Sequence, residues 1–277
     1  MPPSYREYPL PPPLDAFVEC IWFLRQAPSD TYDDQIQRIP PDGTIELIVH
    51  LDAPFSQIEE DRSVTQPRSM IVGVWTKPIA LVAPRAFDSV GIRVRPGAWP
   101  AFFAEPAALF TDRVTDAAAV WNRPTRQLSE RLASLRDDGD RVGAIAAFLA
   151  GRLRLRARRV DASVARILST HGCERVELVA RGAGISSRQL ERTFRNDVGV
   201  PPKMLSRIVR FQRVLRAASP AATAGLKSCA TSWADIAIGC GYTDQAHLIR
   251  DFREFAGETP AALTSSEAAI ADYFRRR

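Results

Sequence analysis

The feature that most constrains this chain is an internal repeat in its last hundred residues. Segments 179–202 and 236–260 each contain an alanine, a glycine four residues later, the pattern Leu-x-x-x-Phe, a further glycine and then a proline. The matched pairs are Ala180/Ala237, Gly184/Gly241, Leu190/Leu248, Phe194/Phe252, Gly199/Gly257 and Pro202/Pro260. The second copy has one extra residue between its first glycine and its leucine. Six matches in one order predict two copies of a single structural unit.

Each copy has the pattern of a helix-turn-helix unit. An alanine in the first helix lets the second helix pack close to it, and the glycine supplies the left-handed conformation of a tight turn. Ser186 followed by Gln189 predicts a capping box at the start of one second helix, and Thr243 is the predicted N-cap of the other. The leucine and phenylalanine are four residues apart, so they share one face and are predicted to be buried.

The residues between these anchors must then face outward, and several of them are basic. A generic helical hairpin repeat would explain the buried positions, but it would not explain a basic stripe on the second helix. Between the copies, residues 202–218 open with a proline and carry an apolar seam of Leu205, Ile208 and Leu215, which predicts a linker helix roughly 25 Å long. The second helices could then sit about 34 Å apart, one turn of DNA.

The charge of the chain is divided in a way that supports this interpretation. Residues 1–150 hold 15 Lys+Arg and 20 Asp+Glu, a net charge of −5, whereas residues 151–277 hold 22 and 12, a net charge of +10. A basic half joined to an acidic half indicates that one part faces a polyanion. Charge alone does not distinguish DNA from RNA or an anionic membrane. The arginines between 152 and 159 fit either a DNA-tracking surface or the solvated side of a helix.

The first hundred residues show the pattern of a β domain. Short runs rich in Val, Ile and aromatic residues are bounded by turn signals, and they predict strands near 20–25, 44–51, 70–75, 79–83 and 89–95. From residue 98 the periodicity becomes helical, over 98–110, 125–137 and 140–156. The predicted fold class is therefore α+β. It combines a small N-terminal β-barrel or sandwich (cupin-like) with helices and a C-terminal all-α domain of two helix-turn-helix units joined by a linker helix.

Residues 161–275 resemble the DNA-binding domain of the AraC/XylS family of transcriptional regulators. The stretches GISSRQLERTFRNDVGVPP, RIVRFQRVLRAA and GYTDQAHLIRDFREFAGETP carry the resemblance. One departure is the loop 219–232, which is several residues longer than the family pattern. The N-terminal stretches IPPDGTIELIVHL and VGIRVRPGAWPAFF are similar to a β-rich partner domain found in a subset of these regulators, a looser match that implies no ligand.

The resemblance implies a domain organisation and a DNA-contacting surface. Residues 1–157 are expected to form a sensor or dimerisation domain, and residues 158–277 the DNA-binding domain. Within the latter, motif one is expected at about 176–197, the linker helix at 202–218 and motif two at about 232–256. The residues predicted to contact DNA are Arg188, Gln189, Glu191, Arg192, Arg195, Gln245, Ala246, Ile249 and Arg250.

The side chains in this set suit DNA, although their individual roles stay open. Arginine binds the guanine O6 and N7 atoms and glutamine the adenine N6 and N7 atoms, while phosphate contacts usually outnumber base contacts. Glu191 could accept from a cytosine amino group or pair with an arginine. His247 could reach a phosphate or be a partly buried histidine.

Four cysteines and three histidines are scattered along the chain, so no metal and no cofactor is expected. In the N-terminal half, Asp42, Glu46, Arg93 and Arg95 could line a polar pocket or serve in turns and on strand surfaces. The aromatic residues Trp22, Phe23, Trp75 and Trp99 are expected in the core, with a pocket wall as the alternative.

The expected function is a sequence-specific regulator, not an enzyme, that binds double-stranded operator or promoter DNA. An alkyl-transfer repair enzyme fused to DNA-binding motifs would need an activated cysteine, and Cys20 lies in an apolar strand. An architectural DNA binder is disfavoured by the separate acidic β domain. Expected partners are a small-molecule effector, RNA polymerase and a second copy of the chain. No apolar run is long enough to span a membrane, and a cytoplasmic location is expected.

Overall fold

The structure is a computed structural model that describes residues 3–28, 36–60, 62–154, 160–218 and 232–260. Several predictions fall outside these ranges. They concern the long loop up to residue 231, Cys229, the arginines between 155 and 159, and the domain boundary near 157. No helix in the described ranges combines the length and the apolar character needed to cross a bilayer.

The N-terminal half is a sandwich of two antiparallel sheets. One sheet has the strand order β1-β2-β9-β4-β7-β10 and the other β3-β8-β5-β6. The strands are β1 Ser4–Tyr8, β2 Val18–Gln26, β3 Gln37–Ile39, β4 Ile45–His50, β5 Ser56–Glu59, β6 Arg62–Thr65, β7 Ser69–Val72, β8 Ile79–Val82, β9 Phe87–Val94 and β10 Val114–Asp116. The five runs predicted as strands correspond to β2, β4, β7, β8 and β9, so the β interpretation is confirmed.

The long central strands are apolar on both faces because each face packs against a separate core. Phe23, Leu47 and Ile92 belong to the main core, which continues into the helices, whereas Trp22 and Leu24 belong to a smaller core between the sheets. This alternation follows from the two-residue period of a strand. Both faces of a central strand in a layered domain are buried, so the run is apolar throughout.

The following helices form one layer against the larger sheet. They are α1 Ala117–Trp121, α2 Arg123–Ser134 and α3 Asp138–Ala150. The helix predicted over 98–110 is wrong, because that stretch forms two short 3-10 helices, Trp99–Ala101 and Ala107–Leu109. Pro100 and Pro106 lack the backbone N–H that a continuing α-helix requires. The α+β class is confirmed, with a β sandwich followed by helices.

The C-terminal third is helical. Its helices are α4 Asp161–Ser169, α5 Val176–Gly182, α6 Ser187–Asp197, α7 Pro202–Ala217, α8 Trp233–Gly239 and α9 Gln245–Ala256. Pro202 lies in the first turn of α7, where its missing N–H costs nothing. The predicted seam residues Leu205, Ile208 and Leu215 are all buried, and so are Val209 and Val214 on other sides of the same helix.

The linker helix α7 is buried more completely than its sequence suggests because the β sandwich also packs against it. Gln212 Nε2 donates a hydrogen bond of 2.7 Å to the Pro41 carbonyl oxygen. Thr111 Oγ1 donates one of 2.7 Å to the Gly199 carbonyl oxygen at the end of the first repeat unit. The buried residues of both halves form one continuous apolar core.

Candidate nucleic-acid interface

The two repeat units have matching backbone structure. In the first, the Ile185 N–H donates to the Ala180 carbonyl oxygen at 3.1 Å, and in the second the Tyr242 N–H donates to Ala237 at 2.9 Å. Gly184 and Gly241 both have positive φ, +68° and +86°. The turn therefore needs glycine in both copies, as the repeat predicted. Ala180 and Ala237 are buried where the two helices of each unit cross.

The second helix of each unit starts at a side-chain cap, but only one cap is the predicted residue. Ser186 accepts a hydrogen bond of 3.2 Å from the Gln189 N–H at the start of α6, but the predicted capping box is incomplete, because the Gln189 side chain does not bond the Ser186 N–H. At the start of α9 the prediction of Thr243 is wrong, because Asp244 is the N-cap and accepts from the His247 N–H at 2.7 Å. Thr243 Oγ1 instead lies 3.2 Å from His247 Nδ1. The extra residue of the second copy therefore precedes Asp244.

The buried anchors of the repeat fix which side of each helix is outside. Leu190, Phe194, Leu248 and Phe252 are each 0 % exposed. With these residues in the core, the opposite faces of α6 and α9 are presented to solvent. The exposed predicted residues are Arg188, Gln189, Glu191, Arg192, Arg195, Gln245, Ala246 and Arg250, and Ile249 is half-buried. Eight of the nine thus lie outside the anchor face of their helix. Gln245 lies on the same side of α9 as Phe252, seven residues later, and is exposed because it is the first residue of that helix.

The basic side chains on these faces are not neutralised by the rest of the described chain. Across the described ranges, Arg188, Arg192, Arg195 and Arg250 form no ion pair, and Glu191 pairs with no arginine there. The alternative role of Glu191 as an arginine partner is therefore absent from the described structure. Guanidinium groups without an internal partner are suited to bind phosphates or guanine edges.

An ion-pair cluster holds the second unit on the linker helix, and sequence reasoning missed it. Arg207 of α7 bonds Asp251 at 2.7 Å and Glu254 at 2.5 Å, both on α9. Asp251 is buried, and the Arg207 guanidinium also lies 4.8 Å from the centre of the Phe255 ring. No pattern in the sequence joins positions 44 residues apart. These contacts fix the orientation of α9 relative to α7.

A second feature is a cavity of about 100 Å³ between the two sheets of the N-terminal half. Of the residues weighed as pocket candidates, Trp22, Asp42, Glu46 and Trp75 line it. Phe23 and Trp99 are core residues, and Arg95 lies outside, where its Nε donates to the Asp15 carbonyl oxygen. The volume of the cavity is several times the volume that one ordered water needs.

Two buried polar groups stand in or beside the cavity wall. Glu46 Oε1 accepts hydrogen bonds from Trp22 Nε1 at 3.0 Å and from Arg93 Nε at 2.8 Å. Burial raises the pKa of Glu46, and the Arg93 guanidinium opposes this shift. His50 bonds Ser89 Oγ at 2.9 Å and Gln66 Oε1 at 3.2 Å, and burial lowers the pKa of His50 to about 4. His50 is therefore neutral at pH 7.

The two buried cysteines of the described residues, Cys20 and Cys240, do not have the environment of a catalytic nucleophile. Cys20, Cys173 and Cys240 are free thiols. Burial raises the pKa of Cys20 to about 12, and burial also raises the pKa of Cys240. A nucleophilic cysteine needs the opposite shift, toward the thiolate. These environments weigh against the alkyl-transfer alternative.

Comparison with protein-family models finds two matches. Residues 6–116 match a domain of unknown function, DUF6597, and residues 179–266 match a helix-turn-helix domain. The second match covers both α6 and α9. The search of curated proteins finds no match.

Among solved structures, ToxT from Vibrio cholerae is similar at 10% identity, with 95% of this chain and 98% of that chain covered and a TM-score of 0.46. Wild-type ToxT from strain SCE256, with a bound unsaturated fatty acid, matches at 8% identity over 84% of this chain and 91% of that chain, with a TM-score of 0.46. The AraC-like transcriptional activator CuxR matches at 14% identity over 80% and 89%, with a TM-score of 0.23. Such values do not support transfer of a ligand or mechanism.

The class of the protein follows from these findings. It is a DNA-binding transcriptional regulator with a C-terminal helix-turn-helix domain. More particularly, this domain is of the AraC type, and it follows an N-terminal DUF6597 domain. The predicted resemblance is confirmed.

Proposed function

We propose that this regulator binds double-stranded DNA sequence-specifically, with α6 and α9 inserted into two successive segments of the major groove. The observation that carries the proposal is the equivalence of the two units. Each has buried anchors on one face of its second helix and exposed polar or basic side chains on the other. An α-helix fits the major groove, where each base pair presents a distinct pattern of donors and acceptors.

Within this proposal, Arg188 and Arg192 of α6 and Gln245 and Arg250 of α9 are the principal contacts. The arginines suit guanine edges or phosphates, and Gln245, in the first turn of its helix, suits an adenine edge. Gln189, Glu191, Arg195, Ala246 and Ile249 complete the two surfaces. No catalytic step forms part of the proposed function. Contact with RNA polymerase and dimerisation stay predictions from the sequence.

The test is operator binding by single variants. Arg188→Ala and Gln245→Ala should each weaken binding by about 1–3 kcal/mol and relax specificity at different half-sites. The two residues stand on separate units, so the losses should be nearly additive in the double variant. Arg123→Ala is the matched control, since it removes one exposed charge from α2 in the acidic half. Fluorescence anisotropy with a panel of operator variants measures the four variants and the wild type.

The result distinguishes two modes of binding. If both variants lose specificity at the same half-site, only one unit contacts bases and the other contacts only the DNA backbone. If neither variant binds more weakly than Arg123→Ala, these residues are not in the interface.

We further propose that the N-terminal domain modulates DNA binding through an effector in the sheet cavity. Pro41, Asp42 and Thr44 line the cavity, and they lie in the turn that contacts α7. The Pro41 carbonyl accepts from Gln212, and a side chain at Gly43 would meet Leu205 and Ile208 at 3.0 and 3.6 Å. A ligand that moves this turn therefore acts directly on the helix joining both DNA-binding units.

Gln212→Leu tests this route, because leucine nearly fills the space but has no donor. The buried Pro41 carbonyl loses its partner, so the free energy of unfolding should fall by about 1–3 kcal/mol. The recognition helices do not depend on this bond, and operator binding should persist. A cavity-binding compound should shift operator affinity less in the variant than in the wild type. An equal shift in both proteins contradicts this route.

A further inference from the structure

The chemistry of the cavity wall restricts what the cavity can bind. Much of the wall is apolar and aromatic, with Trp22, Phe55 and Trp75 among its residues. The charged residues of the wall are Asp42 and Glu46, both acidic, and no lysine or arginine lines the cavity within the described residues. His50 also lines it as a neutral imidazole. A largely apolar, partly buried wall of this kind favours a ligand of opposite charge, since charges interact more strongly there than in open solvent.

The nearest cationic side chain, Arg93, does not cancel the negative charge of this wall. Arg93 is 1 % exposed and bonds Glu46 at 2.8 Å and Glu7 at 3.1 Å, with Glu19 at 3.9 Å. A single guanidinium thus faces three carboxylates, and Asp42 also acts on it electrostatically. Arg95 acts on Glu19 from outside the cavity. Arg68 acts on His50 from another side. The four acidic groups Asp42, Glu46, Glu7 and Glu19 still outnumber Arg93, Arg95 and Arg68 around this wall, so an anionic ligand would be repelled.

Trp75, one of the lining residues, also carries a hydrogen-bond donor without a partner. Trp75 Nε1 is buried and donates to no atom in the described structure. Leaving such a group unsatisfied is unfavourable, and buried donors in native proteins usually have partners. An acceptor atom on a ligand would satisfy this nitrogen. This donor and the acidic residues are two independent indications that the cavity is a binding site.

We propose that the cavity binds a small organic amine, with an ammonium group toward Asp42 and Glu46, an aromatic or otherwise flat apolar body, and an acceptor atom for Trp75 Nε1. The aromatic wall would add cation–π and stacking contacts to the charge attraction. The inference rests on the proposed effector role of the cavity and names the chemical class of that effector. It excludes carboxylates such as fatty acids as preferred ligands.

Three phenols that share a side chain of two methylene groups test the charge preference. Tyramine carries an ammonium group, tyrosol a neutral hydroxyl and phloretate a carboxylate, and all three share a phenol that can accept from Trp75. Isothermal titration calorimetry on the full chain without DNA should give tyramine an affinity at least tenfold above tyrosol, with phloretate weakest. Equal or tighter binding of phloretate overturns the proposal, as does failure of all three to bind at millimolar concentration.

Two variants test the location. Ile48→Trp should fill the cavity and abolish tyramine binding, whereas Val64→Trp, on the exposed strand β6, adds the same ring elsewhere and should bind like the wild type. Circular dichroism checks folding. Binding that survives in a folded Ile48→Trp protein overturns the proposed site.

If Ile48→Trp does not fold, the variant Trp75→Phe tests the location of the site instead. It keeps an aromatic ring but removes the donor, so tyramine should bind at least threefold more weakly. Phenethylamine, which lacks the phenol oxygen, should bind the variant and the wild type equally. Unchanged tyramine binding overturns the assigned role of Trp75.

The ligand titrations use the free protein, so they are independent of operator binding. If the protein prefers tyramine as expected but Arg188→Ala and Gln245→Ala leave operator affinity unchanged, only the proposed DNA contacts are refuted. A probe that binds as expected but leaves operator affinity unchanged would refute the effector role while leaving the amine site in place.

Discussion

Protonation of His50 should destabilise the folded protein as the pH falls. His50 is 2 % exposed on β4, and it bonds Ser89 and Gln66 while its ring stacks on Phe55. Burial lowers the pKa of His50 from 6.5 to about 4, and the positive charge of Arg68 adds to this shift. The neutral imidazole is therefore the form that the fold accommodates.

The sign and the size of this stability change follow from the linkage between protonation of His50 and unfolding. Because the folded pKa is below the unfolded pKa, the unfolded state takes up the proton first, and stability is lost as the pH falls from about 6.5 to 4. At about 1.36 kcal/mol for each pKa unit, the loss is roughly 3 kcal/mol by pH 4. Above pH 7 the contribution of His50 should be constant.

The assay is urea unfolding of the full chain at a series of pH values, compared with His50→Gln. The variant keeps hydrogen-bonding atoms near Ser89 and Gln66 but has no imidazole to titrate. Other groups titrate in both proteins, so the difference between the two curves isolates His50. That difference should change by roughly 3 kcal/mol between pH 7 and pH 4. Parallel curves would refute the assignment of a neutral buried His50.

Two further predictions concern the DNA-binding half. Leu190→Ala removes a fully buried anchor and should lower the free energy of unfolding by about 2–5 kcal/mol without a selective change at one base pair; a loss confined to one half-site in operator-variant binding would contradict this. The exposed arginines predict steep salt dependence, and neutralising about 6–10 phosphates should weaken operator affinity by about 10³–10⁵-fold between 50 and 200 mM salt. Nearly flat anisotropy titrations over that range would rule it out.

The class of protein could be predicted from the sequence because its evidence is local and repeated. The positions of Ala180, Gly184, Leu190 and Phe194 recur with nearly constant spacing in the second copy. A helical period then fixes which side chains are buried and which face outward, with no knowledge of the rest of the fold. Eight of the nine predicted contact residues accordingly lie outside the anchor face, whereas Gln245, seven residues before Phe252, is exposed because it is the first residue of α9.

Local patterns were misleading where neighbouring residues compete for the same role. Thr243 and Asp244 are both good N-caps, and Asp244 caps α9 while the Thr243 hydroxyl lies beside His247. Residues 98–110 have helical periodicity, but Pro100 and Pro106 divide the stretch into 3-10 turns. In both cases the backbone geometry of one or two residues decided the outcome.

The sequence alone thus determined the two helix-turn-helix units and their outward faces, because short-range spacing encodes both. Only the tertiary structure decided how the halves meet. The cavity gathers Trp22 from β2, Glu46 and His50 from β4, and Trp75 from the segment after β7, and in the sheet β9 separates β2 from β4. The contact of Pro41 with Gln212 joins residues 171 positions apart. Such contacts depend on chain topology, which no periodicity within a single segment specifies.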